Sequence, residues 1–203
     1  ALLAELLRRA VDASFNRISV DGDMSTNDTV FIMANGRSGV RIRRNTAQAK
    51  QFGAMLDAAA ARLAHLLVQD GEGATCVARI TVSGAPTRSQ AQRCARQVAD
   101  SPLVKTMLAG ADPNVGRIAA AAGASGIRFD PQRLEIRLGG VGCVVRRGAI
   151  VPFDAALARA WLRPRPPRYP TIEIDLHAGR ATAWMLTCDL TEEYVRINAR
   201  YST

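Results

Sequence analysis

Apolar residues recur along the first part of the chain at two spacings, one typical of helices and one typical of strands. From Leu2 onward they repeat every three or four positions, which predicts an amphipathic helix that ends near Asn16. A longer repeat of the same kind follows Thr46, a candidate N-cap, and predicts a helix to about Gln69. Between the helices, β-branched and aromatic residues predict strands at 18–20 and 29–34 around a polar loop.

The rest of the chain alternates between the same two patterns. Thr87 is a candidate N-cap for a helix that continues to Ala99. Asp112 followed by Pro113 predicts the start of another helix. A further helix is expected at about 153–161, and strands are expected at 76–83, 134–138, 142–146, 171–176 and 181–188. This alternation of sheet and helix is typical of an α/β fold.

Length and composition limit the class of protein. The 203 residues, 48% of them hydrophobic, are enough for one domain or two small ones with a substantial core. No run approaches the roughly 20 apolar residues that cross a bilayer, so no membrane partner is expected. The four cysteines form no C-x-x-C pair and have no histidine nearby to complete a metal site. We interpret them as reduced thiols of a cytoplasmic protein without a metal.

The net charge of +9 raises the question of nucleic-acid binding, since clustered basic residues neutralise phosphates. The arginines are scattered, however, and few aromatic residues lie among them to stack on bases. Only Lys50 and Lys105 are lysines, so the charge reflects an arginine-rich composition. A solvated or subunit-facing surface is therefore expected rather than a nucleic-acid partner.

Three polar segments, 16–29, 70–75 and 198–203, are richer in carboxylates, amides and hydroxyls than simple turns require, and we expect them to share one site. Glu72 follows a predicted helix C-terminus, where the helix dipole disfavours a carboxylate. Its glycine neighbours would let backbone approach a ligand, although a solvated loop glutamate is the alternative. Asn114, at a helix start, is either part of a simple cap or a group that faces an anion.

Six ordered segments resemble the β chain of the ornithine acetyltransferase (glutamate N-acetyltransferase) family, at residues 16–23, 25–29, 70–75, 101–106, 112–114 and 188–198. The resemblance implies a layered α/β sandwich of sheets and helices, shared with related self-processing aminopeptidases. It also implies that residues 1–74 form part of a catalytic core completed by a separate α chain. Residues 75–203 would then form a C-terminal α/β domain whose tail returns to the active site.

The resemblance also implies an activity in arginine biosynthesis. A precursor cleaves itself before a threonine, and that threonine carries acetyl from N-acetylornithine to glutamate by a ping-pong route. The nucleophilic threonine is expected upstream of Ala1, so this chain would hold no catalytic residue. Glu72, Asn198 and Thr203 match substrate-binding positions of the family. No cofactor is implied, and the expected assembly is a cytoplasmic α2β2 heterotetramer.

Two positions depart from the family pattern. Cys76 stands where the family usually has lysine, and Val115 stands where it usually has tryptophan. Two other functions therefore remain open: an amide hydrolase or aminopeptidase of the same fold, and a non-catalytic, arginine-rich binding subunit. The sequence also leaves open whether acetyl-CoA is a second acetyl donor.

Overall fold

The computed structural model describes residues 2–163 and 169–200 of the chain. The described residues fall into two compact units, one made of those up to Ile18 together with Asp23–Leu67, and one made of Ser19–Gly22 together with those from Val68 onward. The elements are mixed helices and strands, which confirms the α/β fold class predicted from the alternation of patterns.

The first unit contains helix α1, Leu2–Ala13, and most of helix α2, Ala47–Gln69. The two helices pack closely where α2 carries a glycine: a Cβ at Gly53 would lie 2.5 Å from Nη2 of Arg9. Arg9 also forms an ion pair with Asp57 at 2.9 Å. Thr46 caps α2 by accepting a hydrogen bond from the Ala49 N–H at 3.2 Å, as its position in the sequence predicted.

The prediction of a strand at 29–34 is wrong, because the structure has no β-strand there. This stretch pairs with no other strand among residues 2–163 and 169–200, although its composition favours β-structure. A strand is stable only when a neighbour accepts and donates its ladder hydrogen bonds, and a local pattern cannot supply that neighbour.

The second unit is built on a seven-stranded sheet with the order β1-β7-β2-β6-β3-β4-β5. Strands β2 and β6 run parallel, whereas β2 with β7, β3 with β4, β3 with β6 and β4 with β5 pair antiparallel. The bounds are β1 Ile18–Ser19, β2 Val77–Ala85, β3 Glu135–Leu138, β4 Gly142–Arg146, β5 Ala149–Ile150, β6 Thr171–Asp175 and β7 Ala181–Cys188. The short strand β5 was not predicted, whereas the strands of the second half lie within about two residues of their expected positions.

Helices supply the other layer of this unit, with bounds α3 Arg88–Asp100, α4 Pro102–Ala109, α5 Val115–Gly123, α6 Ala155–Leu162 and α7 Glu192–Arg200. One face of the sheet packs against α3, α4, α5 and α6 in a continuous apolar core. Along β2 this face is made by Ala78, Ile80 and Val82, all fully buried, while the alternate residue Arg79 is exposed and stacks on the Trp184 ring at 4.6 Å. Thr87 caps α3 by accepting from the Gln90 N–H, as predicted.

Helix α5 begins at Val115, so the helix start predicted at Asp112 and Pro113 is wrong. Ala111 has a positive φ of 47°, and the following backbone makes tight two-residue turns. The N–H groups of Asn114 and Val115 donate to the carbonyls of Asp112 and Pro113 at 2.7 and 3.0 Å. These bonds use the carbonyls locally and delay the first helical turn, because a helix needs bonds four residues apart.

Candidate functional site

The loop between α2 and β2 places Glu72 on the surface. Helix α2 ends at Gln69, and the Ala74 N–H donates to the Gly71 carbonyl at 2.9 Å, which closes a tight turn around Glu72. Gly73 has φ of +66°, and a Cβ there would meet the Tyr194 backbone nitrogen at 2.6 Å. Glycine is therefore required at this position both by conformation and by the close approach of α7.

Helix α7 brings Asn198 onto this loop. The Asn198 Nδ2 donates to Oε2 of Glu72 at 2.5 Å and to the Tyr194 carbonyl at 3.0 Å. Because these two bonds use both hydrogens of the amide, its Oδ1 is left as an acceptor. Glu72 and Asn198 are both exposed, so a ligand can reach the acceptor oxygens of this pair.

A second carboxylate lies on the same face of α7. The Tyr194 hydroxyl donates to Oδ2 of Asp21 at 3.1 Å. Since Tyr194 and Asn198 are four residues apart on a helix, their side chains lie on the same face of α7. One residue of each polar segment thus takes part in these contacts at α7: Asp21 of 16–29, Glu72 of 70–75 and Asn198 of 198–203. The result is an acceptor-rich surface that suits a cationic group.

A buried carboxylate, that of Asp189, holds the loop that carries Glu72 in place. Asp189 is 3% exposed and accepts hydrogen bonds from the backbone N–H groups of Thr75 and Cys76 at 2.8 and 2.9 Å. The Thr75 hydroxyl also donates to it at 2.6 Å. Nearby, the Thr191 hydroxyl donates to the Gly73 carbonyl at 2.7 Å. The loop that carries Glu72 is thereby tied to the chain that leads into α7.

A buried lysine supports the end of β7. The Lys105 Nζ, in a side chain only 2% exposed, donates to the Thr187 hydroxyl at 2.9 Å and to the Cys188 carbonyl at 2.5 Å. Burial lowers the pKa of Lys105, while the nearby thiol of Cys188 and the carboxylates of Asp100 and Asp189 oppose that shift. The ammonium thus fixes the residues directly before Asp189.

Two buried thiols lie beside this network. Burial, followed by the charge of Asp189, raises the pKa of Cys76 to about 12. Burial also raises the pKa of Cys188, against the opposing effect of the Lys105 ammonium. All four cysteines are free, and Cys76, Cys94 and Cys188 are buried. Protonated, buried thiols are poor nucleophiles, so Cys76 and Cys188 are packing groups.

Of the residues predicted for substrate binding, the structure brings Glu72 and Asn198 into direct contact, and Thr203 lies outside the described residues. Asn114 sits at the N-terminus of α5 without a side-chain capping bond. Within residues 2–163 and 169–200, no group of three or more His, Cys, Asp and Glu side chains is placed to hold a metal. In the same residues, every helix is too short or too polar to span a bilayer.

The sequence did not predict that Asp189 and Lys105 would hold the Glu72 loop and the end of β7 in place. Lys105 gave a signal, because it lies between apolar positions of α4, where a charged residue is unexpected unless it has buried partners. Asp189 also gave one, as a carboxylate that directly follows an apolar strand. Neither signal identifies the residue that binds the side chain, because each binding partner lies more than 80 positions away in the chain.

Comparison with known proteins gives consistent matches over the whole chain. The sequence model described as the ArgJ family matches residues 1–203. A Sorghum bicolor protein named "Arginine biosynthesis bifunctional protein ArgJ, chloroplastic" is 46% identical over 98% of this chain and 44% of its own length. A Thermosynechococcus vestitus protein named "Arginine biosynthesis bifunctional protein ArgJ" is 44% identical over 100% of this chain and 51% of its own.

A solved structure matches equally well. The crystal structure of the arginine biosynthesis bifunctional protein argJ from Bacillus halodurans superposes with a TM-score of 0.89 at 36% identity. The match covers 98% of this chain and 92% of that chain. By contrast, the chain spans about half the length of the curated relatives it matches.

Proposed function

The chain belongs to the ArgJ family, and on that premise we propose that it is the β-chain part of an ornithine acetyltransferase of arginine biosynthesis. The proposed reaction moves acetyl from N-acetylornithine to glutamate. The names of the relatives support the pathway. The contact between Glu72 and Asn198 carries the proposal at the level of the site, because it joins two substrate-binding positions implied by the family resemblance.

The proposed chemistry uses a threonine hydroxyl outside this chain. The hydroxyl attacks the acetyl carbonyl of N-acetylornithine, and the freed α-amine of the threonine takes its proton. Collapse of the tetrahedral intermediate breaks the amide bond, and the ornithine amine leaves with a proton. The glutamate amine then attacks the acetyl-threonine ester, which releases N-acetylglutamate and restores the hydroxyl.

Glu72 and Asn198 have complementary parts in this scheme. The Glu72 carboxylate and the Asn198 Oδ1 are both acceptors, so together they suit a substrate ammonium group better than a carboxylate. N-acetylornithine carries such an ammonium at the end of its side chain. Asn198 keeps the Glu72 carboxylate in one orientation, and we propose that Thr203 also belongs to the substrate-binding site.

The remaining parts of the proposal concern assembly. Residues 1–74 complete a catalytic core with an α chain released from the same precursor by self-cleavage, and residues 75–203 form the C-terminal domain. The assembly is an α2β2 heterotetramer. We also place it in the cytoplasm, since its four cysteines are free thiols, although the plant relatives are named as chloroplastic.

The test uses the protein expressed from its whole coding region and supplied with N-acetylornithine and isotopically labelled glutamate. We expect labelled N-acetylglutamate and ornithine in equal amounts. Without glutamate, ornithine release should stop after about one equivalent per site, as a ping-pong enzyme requires. Continuous release of acetate without glutamate would instead make the protein a hydrolase. Binding of N-acetylornithine without turnover would make it a binding subunit.

A further inference from the structure

The position of α7 depends on polar contacts, because this helix buries little apolar surface. Each of its residues, Glu192–Arg200, is half-buried or exposed. Burial of an apolar face is what usually fixes a helix on its domain. Individual hydrogen bonds to α7 therefore matter more for its position than they would for a helix with a buried face.

Tyr194 connects α7 to the loop 19–22 through its side chain and to Asn198 through its backbone. Its hydroxyl donates to Oδ2 of Asp21 at 3.1 Å. Its carbonyl accepts from Nδ2 of Asn198 at 3.0 Å, and the same Nδ2 donates to the Glu72 carboxylate. A series of contacts thus leads from Asp21 through Tyr194 and Asn198 to Glu72. Any shift of Tyr194 moves the carbonyl that orients the Asn198 amide.

Asp21 is a firm attachment point for this series, because the loop 19–22 is itself anchored. The Cys188 thiol donates to the Val20 carbonyl at 3.6 Å, which ties the loop to the end of β7. A Cβ at Gly71 would lie 3.0 Å from Cγ1 of Val20, so the loop also packs closely on the segment after α2. The hydroxyl of Tyr194 therefore binds a carboxylate that the rest of the unit holds in place.

We propose that Tyr194 and Asp21 are positioning residues for Asn198: the hydrogen bond between them fixes α7 where the Asn198 amide meets the Glu72 carboxylate. The inference rests on the proposed function, which assigns Glu72 and Asn198 to the ammonium group of N-acetylornithine. Asp21 acts here as the acceptor for one hydroxyl and not as a charge that attracts the substrate.

Kinetics on the assembly expressed from the whole coding region tests the role of the hydroxyl. Tyr194→Phe keeps the aromatic ring and the backbone beside Gly73, and it removes only the donor. We expect KM for N-acetylornithine to rise about 3- to 10-fold, the effect of one exposed hydrogen bond. The value of kcat should stay within about 2-fold, since loss of ground-state binding appears in KM. A fall in kcat with unchanged KM overturns the proposal.

Two substitutions at Asp21 separate an acceptor from a charge. Asp21→Ala should raise KM as Tyr194→Phe does, whereas Asp21→Asn keeps an acceptor oxygen for the hydroxyl and should restore KM to within about 2-fold of the wild type. Equal losses in both variants would mean that the charge of Asp21 binds the substrate, which overturns the proposal. Asp130→Ala is the matched control, because Asp130 is another exposed carboxylate that accepts one hydrogen bond, from the Gln132 N–H at 2.9 Å. It should leave KM unchanged.

A double variant shows whether Tyr194 acts through Asn198. In the Asn198→Ala protein, Tyr194→Phe should raise KM less than about 2-fold further, because the side chain that it positions is already absent. Two effects that multiply would mean that Tyr194 contributes to binding independently of Asn198, and they would overturn the proposal.

Amide hydrogen exchange detects the position of α7 without any substrate. Tyr194→Phe should speed exchange of the amides of residues 196–200 about 3- to 10-fold, while the amides of β7 serve as the internal control and should not change. Unchanged exchange in α7 overturns the proposal.

The exchange experiment also separates this proposal from the proposed function. A wild-type assembly that neither binds nor converts N-acetylornithine, but whose α7 amides respond to Tyr194→Phe, would support the positioning of Asn198 and remove the proposed substrate. An assembly that transfers acetyl, while neither KM nor exchange responds to Tyr194→Phe, would keep the activity and remove the positioning role.

Discussion

The side-chain amide of Asn198 donates to the carboxylate of Glu72, although 126 positions separate the two residues. The contact joins the loop after α2 to α7, the last helix described. Since a carboxylate that accepts from an amide keeps lone pairs for a further donor, the pair is suited to receive an ammonium group. The predictions that follow concern this pair and the residues that hold it in place.

Removing either member of the pair should reduce activity without unfolding the protein. Glu72→Ala and Asn198→Ala should each lower kcat/KM for N-acetylornithine by about 10- to 100-fold, the value of one hydrogen bond to a charged group. Both side chains are exposed, so the free energy of unfolding should change little. Steady-state kinetics on the complete assembly measures the first effect and urea unfolding the second.

Asp70→Ala is the control for the pair, because Asp70 is an exposed carboxylate two positions before Glu72. It should leave kcat/KM near the wild-type value. Equal losses in all three variants would mean that general negative charge, and not the pair, attracts the substrate. Unchanged kinetics for both Glu72→Ala and Asn198→Ala would remove them from the site.

Gly73→Ala should displace α7 from the loop. Alanine at φ of +66° is strained, and its Cβ would stand 2.6 Å from the Tyr194 backbone nitrogen. We expect the free energy of unfolding to fall by about 3 kcal/mol or more, and kcat/KM to fall with it as Asn198 moves from Glu72. Gly126→Ala is the matched control, since Gly126 has φ of +69° and open space around its Cβ position. Its cost should be about 1 kcal/mol, with no effect on kcat/KM. Similar values for the two variants would argue against a close contact between the loop and α7.

Asp189→Ala should strongly destabilise the protein. The substitution leaves the backbone N–H groups of Thr75 and Cys76 without their acceptor, and it removes a negative charge close to the buried Lys105 ammonium. The expected loss in the free energy of unfolding is about 3 to 5 kcal/mol. Asp154→Ala removes an exposed cap of α6 that accepts from the Leu157 N–H at 2.9 Å, and it should cost only about 1 kcal/mol. If urea unfolding gives Asp189→Ala the smaller loss, the carboxylate is not the support described here.

Cys76 should make stability fall in alkali. The pKa of its thiol is raised from 9.0 to about 12 in the folded protein, first by burial and then by Asp189 and Cys188. Between these values the unfolded chain releases the proton and the folded chain keeps it, so the free energy of unfolding decreases as pH rises. Relative to Cys76→Ala, the wild type should lose about 1.4 kcal/mol per pH unit above pH 9. Urea unfolding of both proteins from neutral pH to about pH 11 measures this difference. A pH-independent difference would mean that the thiol ionises as freely in the folded state as in the unfolded chain.

Local pattern was sufficient for most regular elements. Helix α2 has a candidate N-cap at Thr46 and a glycine just past its end, and the structure ends the helix between them. Strand β2 alternates buried and less buried positions from Ala78 to Ser83, as its sequence predicts. The period of apolar residues and the chemistry of helix ends act within a few residues, so a sequence displays them directly.

Prediction from the local sequence pattern failed where contacts with distant segments of the chain determine the conformation. Residues 29–34 have the composition of a strand but no strand beside them in the described chain, and residues 192–200 form α7, which was not predicted. The first two turns of α7 pack on the Gly73 loop, where the Tyr194 nitrogen approaches closely. Such contacts depend on how distant segments meet, and spacing along the chain does not record that.

The sequence alone determined the α/β class, the family resemblance and the choice of Glu72 and Asn198 as candidate site residues, because residue identity and short-range spacing carry these properties. The tertiary structure decided that the Asn198 amide donates to the Glu72 carboxylate. It also decided that the buried side chains of Asp189 and Lys105 bind the Glu72 loop and the end of β7. Hydrogen bonds between residues more than 80 positions apart form only when the packed sheet and helices bring their ends together, and that packing is a property of the whole fold.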